Sequence, residues 1–276
     1  MANTNRQYAL LDVQDLAITI GNRTLLRDVS FRVGEGEFVT ILGENGCGKS
    51  SLFNTVMGFH ENYVGNIALA GKSIAKQSQL EMSETRAYLS QFNSVNFAYL
   101  VEDILLLARH NQSEPLPVSF HIIETVVEML DINHLLGRNI NLLSGGEKQR
   151  VFIAKALIQL WNNPVENDGK VDFSGKLLFL DEPTSALDVR HQQQLLELLS
   201  DLKHRGLATI CISHDINLFS RISDRFLILA NQTILAKGSP KDVLNATNMQ
   251  SGFGYRPQFL RDPSGHPYLV HDLQSN

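Results

Sequence analysis

Gly43-Glu44-Asn45-Gly46-Cys47-Gly48-Lys49-Ser50 sets two glycines, a lysine and a serine at the spacing G-x-x-x-x-G-K-S. Glycines lacking a Cβ let successive backbone N–H groups curl into a concave anion nest, and a helix starting there aims its positive dipole end at the same point. Lys49 can then reach β- and γ-phosphate oxygens as a point charge, and the Ser50 hydroxyl can ligate a Mg²⁺ ion bridging them. The competing reading is an ordinary Gly-rich turn, but four fixed positions match in a chain of this length by chance about one time in a hundred. The expectation is a nucleotide polyphosphate site.

A second group of chemistry-bearing residues follows Leu177-Leu178-Phe179-Leu180. This apolar strand ends in Asp181 and Glu182, and carboxyl ends of parallel strands line the ligand crevice of α/β sheets. Asp181 suits a water-mediated Mg²⁺ contact and Glu182 a base that orients or deprotonates the attacking water. Two solvated acids at a strand end are common; the phosphate loop and the following Pro183-Thr184-Ser185-Ala186-Leu187-Asp188 favour the functional reading. Leu143-Ser144-Gly145-Gly146-Glu147-Lys148-Gln149-Arg150 opens a helix, with Ser144 and Glu147 as a capping box. Gly145 and Gly146 weaken that first turn, and their use is close approach of backbone N–H groups to a second phosphate contact. His214, after the strand ending at Ile212, can reach a γ-phosphate, although a lone His there is usually structural. Gln91, after Tyr88-Leu89-Ser90, can contact Mg²⁺ or water.

The elements that must position these residues are legible in the apolar pattern. Phe38–Leu42 reads as the buried strand before the loop and Ser51–Met57 as the helix after it. Strands at Leu16–Ile20 and Val29–Val33, and a hairpin arm at Gly65–Lys72, form a small β layer. Arg86–Leu89 reads as a further short strand. Helical spacing over 101–107 and 120–130, separated by Pro115 and Pro117, predicts a mostly helical insertion. From 145 to 238, helices alternate with apolar strands at 177–180, 207–212, 226–229 and 233–236, the signature of a parallel sheet covered on both faces. Residues 162–170 read as an exposed loop. Ser239-Pro240 is a helix start, and the tail beyond it resists assignment.

At 276 residues, 43% hydrophobic, the chain can bury a full core. Its net charge of −5 gives no electrostatic reason to expect a nucleic-acid partner. The longest apolar stretches, such as Ile104–Ala108, fall far short of the roughly 18 residues of a membrane span. The amino terminus lacks the apolar core of a secretory signal, which predicts a cytosolic protein. Cys47 and Cys211 do not form a disulfide scaffold. Cys47 either fits the turn as a small residue or makes the loop sensitive to thiol alkylation.

Taken in order, the phosphate loop, Gln91, LSGGEKQR, FLDEPTSALD and His214 resemble the nucleotide-binding subunit of an ATP-binding cassette (ABC) transporter, over residues 10 to 245. The resemblance implies an α/β P-loop NTPase (RecA-like) core with a mostly parallel sheet, an N-terminal antiparallel β layer and an inserted α-helical subdomain. It places an ATPase domain at 8–245, the helical subdomain at about 92–143, and a C-terminal tail at 246–276. It implies Mg²⁺-ATP bound by Gly43, Glu44, Asn45, Gly46, Cys47, Gly48, Lys49, Ser50 and Ser51 of one copy and by Ser144, Gly145 and Gly146 of a second copy, paired head to tail. Asp188 would cross the dimer; Ser50, Gln91 and Asp181 would hold the metal; Glu182, His214 and Gln91 would serve hydrolysis. Membrane permease subunits would be direct partners, a substrate-binding protein an indirect one, and the location the cytoplasmic face of the inner membrane. The aromatic segment 92–99 would grip the permease or lie in the core. Finer features, including Gln159-Leu160-Trp161 before a polar loop, resemble importers of haemin, ferric siderophores and cobalamin, with haemin importers most similar. Ile20 occupies the position where the family stacks adenine on an aromatic ring. Soluble ABC ATPases usually carry coiled-coil insertions or tandem cassettes, lacking here, and a P-loop kinase would not need LSGGEKQR.

Overall fold

A computed structural model describes residues 9–91, 97–162 and 171–270. The chain forms two compact units, Met1–Gln77 with Ile210–Asn276, and Ser78–Thr209.

The first unit begins with β1 (Leu11–Ile20), β2 (Arg23–Val33), β3 (Phe38–Gly43), α1 (Lys49–Val56), β4 (Tyr63–Leu69) and β5 (Lys72–Ser73). An antiparallel sheet runs β2-β1-β4-β5. The β1 strand is longer than the alternation suggests because its register shifts between Val13 and Leu16. Asp15 takes φ 50° there and donates its N–H to Ser30 Oγ at 2.8 Å. The bulge lets the buried face resume at Leu16 after Val13, so Leu11, Val13, Leu16 and Ile18 all face inward. All six residues of β3 are buried, as a strand covered on both faces requires.

The second unit contains α2 (Gln79–Thr85), β6 (Arg86–Leu89), α3 (Val101–Leu107), α4 (Leu116–Met129), α5 (Gly145–Leu160), β7 (Leu177–Asp181) and α6 (Val189–His204). The helix α2 escaped the sequence reading, although Ser78 and Glu81 form a full capping box for it. Pro117 does not separate helices: it lies in the first turn of α4, where a missing N–H costs nothing. The strands β6 and β7 pair in parallel, Arg86 opposite Leu177 through Leu89 opposite Leu180. The helix α5 is the spine of this unit. Gln159 donates to Ser83 O at 2.9 Å and Arg86 O at 3.0 Å, Arg109 closes its carboxyl end by donating to the carbonyls of Ile158 and Trp161, and Trp161 packs edge-on against Phe173. Arg150, within α5, does the same for α4 by donating to Leu130 and Asp131 carbonyls.

Within β8 (Ala208–Ile212) the chain returns to the first unit, which continues with α7 (Ile216–Phe219), β9 (Arg225–Ala230), β10 (Thr233–Gly238), α8 (Pro240–Val243), α9 (Ala246–Phe253), β11 (Gln258–Arg261) and β12 (Pro267–Val270). Cys211 is buried in β8 as expected. The strand β9 pairs in parallel with β3 and antiparallel with β10. Phe38 stacks on Phe219 at 6.0 Å, and the Phe38 N–H reaches Asp224 Oδ2 at 2.8 Å, fixing the start of β3. The unassigned tail folds into α9 and the β11–β12 hairpin. That hairpin is fastened to α7: Asn217 Nδ2 donates to Leu269 O at 3.0 Å and Asn217 Oδ1 accepts from Leu269 N at 2.7 Å. The expected α/β class, with mostly parallel pairing and an antiparallel layer, is the one found. The loop expected over 162–170 lies outside the described residues except for Asn162, as do 92–96 of the aromatic segment.

Candidate nucleotide site

The sequence-predicted residues fall into two constellations, one in each unit. In the first, β3 ends at Gly43 and α1 begins at Lys49. A Cβ on Gly43 would lie 2.6 Å from both Cys47 Sγ and Leu229 O, so only glycine lets the turn close against β9. Gly48 caps α1 with φ 108°, and a Cβ there would press on Leu26 at 3.0 Å. The first turn of α1 carries no acid, so its N-terminal field is uncompensated. Glu44, Asn45, Gly46 and Ser50 are exposed, Ser51 and Cys47 half-buried, and Lys49 buried. The Lys49 ammonium donates to Gly43 O at 2.7 Å and Glu44 O at 2.9 Å. It therefore sits folded back onto the loop backbone. An incoming polyphosphate offers charged acceptors in place of those neutral carbonyls, and charge-assisted bonds are the stronger ones.

Two further groups in this unit answer to Lys49. Burial pushes the Cys47 thiol up in pKa despite the opposing pull of the Lys49 charge. A thiol held protonated is a poor nucleophile, which favours the reading of Cys47 as a small residue fitting the turn. The His214 imidazole, though solvent-accessible, is held below its ordinary value, first by desolvation and then by repulsion from Lys49. His214 thus lies within electrostatic reach of the loop lysine. Ser213 and Asp215 bracket it, Ser213 Oγ accepting from Asp215 N and Asp215 capping α7. Ile20 stands exposed at the end of β1.

In the second unit, β7 delivers Asp181 and Glu182 at its carboxyl end, both largely buried. The Tyr88 hydroxyl lies 3.5 Å from Asp181 Oδ2, and burial, with the Asp181 charge beside it, pushes its pKa up. Glu182 adopts a left-handed backbone, φ 53°, which is uncommon for any residue but glycine, asparagine or aspartate. Ser144 caps α5 in the expected box, its N–H on Glu147 Oε2 at 2.7 Å. The Ser144 hydrogen bonds hold the Glu147 carboxyl below its usual range. Gly146 has a packing reason of its own: a Cβ there would lie 2.8 Å from the Ala186 carbonyl oxygen. Gly145 would meet only Ala186 Cβ at 3.6 Å, an ordinary contact, so packing alone does not require glycine there. Asp188 caps α6 through the His191 N–H and accepts His191 Nδ1 at 2.8 Å. Those hydrogen bonds, the backbone one foremost, keep its carboxyl below the ordinary range. Gln91 is exposed just past β6. Sequence reasoning passed over Gln149 as an individual, although it donates to Glu182 O and accepts from Ala186 N. Its only signal was a polar residue on a helix otherwise rich in buried aliphatic side chains.

Among the described residues, no cluster of three or more His, Cys, Asp or Glu side chains has the makings of a metal site. Each unit carries, on its own, a hard oxygen of the kind Mg²⁺ takes. That ion takes one or two protein oxygens and completes its octahedron with phosphate and water, and Ser50 and Asp181 are hard oxygen donors of the required kind.

Residues 26–162 match the sequence profile described as ABC transporter. The chain is 33% identical over 262 residues to the Hemin import ATP-binding protein HmuV of Pseudomonas fluorescens (strain Pf0-1), covering 95% of this chain and 99% of that one. It is 36% identical over 242 residues to the protein of the same name from Hahella chejuensis (strain KCTC 2396), covering 87% and 91%. Among solved structures, an ATP-binding subunit of an ABC transporter aligns with TM-score 0.74 and 26% identity over 90% of this chain and 94% of that chain. A metal-chelate type ABC transporter in an inward-facing conformation aligns with TM-score 0.73 and 25% identity over 95% and 98%.

Proposed function

The chain belongs to the ABC transporter family, and from that premise we propose that it is the ATP-hydrolysing subunit of a bacterial importer, taking up haemin or a related iron chelate. The observation that carries the ATPase reading is the loop itself: Gly43 and Gly48, where a side chain would press on Leu229 O and Leu26, a helix start without acids, and a buried Lys49 amine turned into it. The two relatives, both hemin import ATP-binding proteins, support the cargo.

In this reading residues 8–245 are the ATPase domain, with a helical subdomain at about 92–143, and 246–276 are a C-terminal tail. Two copies pair head to tail. Gly43 through Ser51 of one copy hold the triphosphate, with Lys49 neutralising β- and γ-oxygens, while Ser144, Gly145 and Gly146 of the other copy present N–H groups and a hydroxyl to the γ-phosphate. Ser50, Asp181 and Gln91 would hold Mg²⁺, which would neutralise phosphate charge. Glu182 accepts the proton of the attacking water. His214, kept neutral, donates a hydrogen bond to the γ-phosphate, and Asp188 reaches across to the other copy. Exposed Phe97, Tyr99 and Leu100, which are not core, support a permease contact on the second unit. No helix among the described residues is long and apolar enough to span a membrane, which fits a peripheral subunit held at the cytoplasmic face by its permease.

The test is to isolate the tagged Glu182→Gln protein with Mg²⁺-ATP from solubilised host membranes, then reconstitute the wild-type complex in liposomes with its binding protein. We expect a many-helix membrane protein to co-purify and haemin to stimulate ATP hydrolysis. Stimulation by cobalamin or a ferric siderophore instead would reassign the cargo, and only soluble partners would remove the transport role.

A further inference from the structure

The Glu182 backbone, strained in its left-handed conformation, is held at its carbonyl by three donors: Gln149 Nε2 at 2.9 Å, Ser185 Oγ at 3.0 Å and Ser185 N at 3.3 Å. The same Gln149 carboxamide accepts the Ala186 N–H on Oε1 at 3.0 Å. One planar amide therefore spans the turn from Glu182 to Ala186, fixing both ends. Gly146, one helical turn before Gln149, backs directly onto Ala186 O, so α5 meets the turn twice on one face. On the far side Gln192 of α6 donates to Thr184 O at 3.2 Å and Leu187 O at 3.1 Å. The segment from Glu182 to Asp188 thus hangs between two glutamines, one on each helix.

We propose that Gln149 is a positioning residue: its carboxamide locks the backbone that aims Glu182 and ties that backbone to α5, whose first residues meet nucleotide through Ser144. This rests on the reading of Glu182 as the base and Ser144 as a nucleotide contact. A hydrogen-bonded helix moves as a unit, so a displacement of α5 when Ser144 engages one ATP is carried through Gln149 to the Glu182 carbonyl of the same chain. Glu182 in a head-to-tail pair serves the other ATP. The link would make hydrolysis at one site depend on closure at its neighbour.

The test compares Gln149→Ala and Gln149→Glu in the full protein by steady-state ATP hydrolysis across pH. Gln149→Ala should lower kcat on the order of tenfold with KM for ATP within about twofold, since only aim is lost. In Gln149→Glu an ionised oxygen faces the Glu182 carbonyl and repels it, whereas the protonated acid donates to it. Its activity relative to wild type should therefore recover as pH falls from 8 towards 5, a response that mere loss of packing would not produce. Wild-type kcat in Gln149→Ala, or a pH-independent ratio for Gln149→Glu, would overturn the proposal; should the alanine variant fail to fold, the isosteric one decides alone. Glu182→Gln is measured alongside. Full turnover there would sink the base assignment itself, a result separate from any effect at Gln149.

Discussion

Glu114 grips Arg109 with both oxygens, Oε1 on Nε at 2.8 Å and Oε2 on Nη2 at 2.6 Å, with both side chains almost wholly buried. The same guanidinium closes the carboxyl end of α5, so the pair anchors the spine of the second unit. Removing one partner of such a pair strands a buried charge, and Glu114→Ala should cost about 3 kcal/mol, read by thermal or urea unfolding. Burial pushes the Glu114 carboxyl up, but the Arg109 and Ser119 hydrogen bonds outweigh it and hold it below the ordinary range. Its contribution is therefore full above about pH 4.3 and lost as pH falls through the lowered value. The stability gap between wild type and variant should shrink in that acid window and stay constant from pH 6 to 8.

The two signature glycines should respond differently to alanine. Gly146→Ala forces a Cβ against backbone oxygen at 2.8 Å and should destabilise by about 1–3 kcal/mol. Gly145→Ala meets no obstruction and should leave stability unchanged or raise it by up to about 1 kcal/mol through helix propensity, while lowering ATPase rate if its N–H group faces nucleotide. Paired denaturation and activity measurements separate the two.

The depressed His214 pKa favours the neutral imidazole. Activity that needs neutral His214 should persist as pH drops past the ordinary value of about 6.5 and fail only below it. His214→Ala should lower kcat on the order of a hundredfold and erase that acid limb, with nucleotide binding retained. An acid limb unchanged in the variant would assign it elsewhere.

Ile20 stands exposed at the end of β1, and adenine resting there, as the resemblance implies, would meet an aliphatic face in place of a ring. Stacking on an aromatic contributes on the order of 1 kcal/mol or more, so the isolated subunit should bind ATP weakly and GTP about as well. Ile20→Tyr should tighten ATP binding roughly fivefold, measurable by calorimetry. Tight, strongly ATP-selective binding by the wild type would contradict this.

Much of the site could be read before folding because its parts are local. The loop around Lys49, the Ser144–Glu147 box and the acids after Leu180 are each short stretches of chain, where spacing alone dictates geometry. What escaped was what depends on distant backbone. The early start of β1 hinges on Asp15 meeting Ser30, the need for Gly146 on the position of Ala186, and the role of Gln149 on two carbonyl and amide groups more than thirty residues away. The β11–β12 hairpin was obscured because its strands are only four residues each and its partner, Asn217, lies far upstream. A side chain's partner is set by the fold, and single-sequence periodicity does not contain it.

The double hydrogen bond between Asn217 and the Leu269 backbone makes the end of the chain a splint for the turn three residues beyond His214. Trimming the protein at residue 246 to obtain a minimal ATPase would thus remove both bonds that hold α7, which begins two residues after His214. Shortened versions of this chain are poor stand-ins for the whole when nucleotide turnover is the quantity of interest.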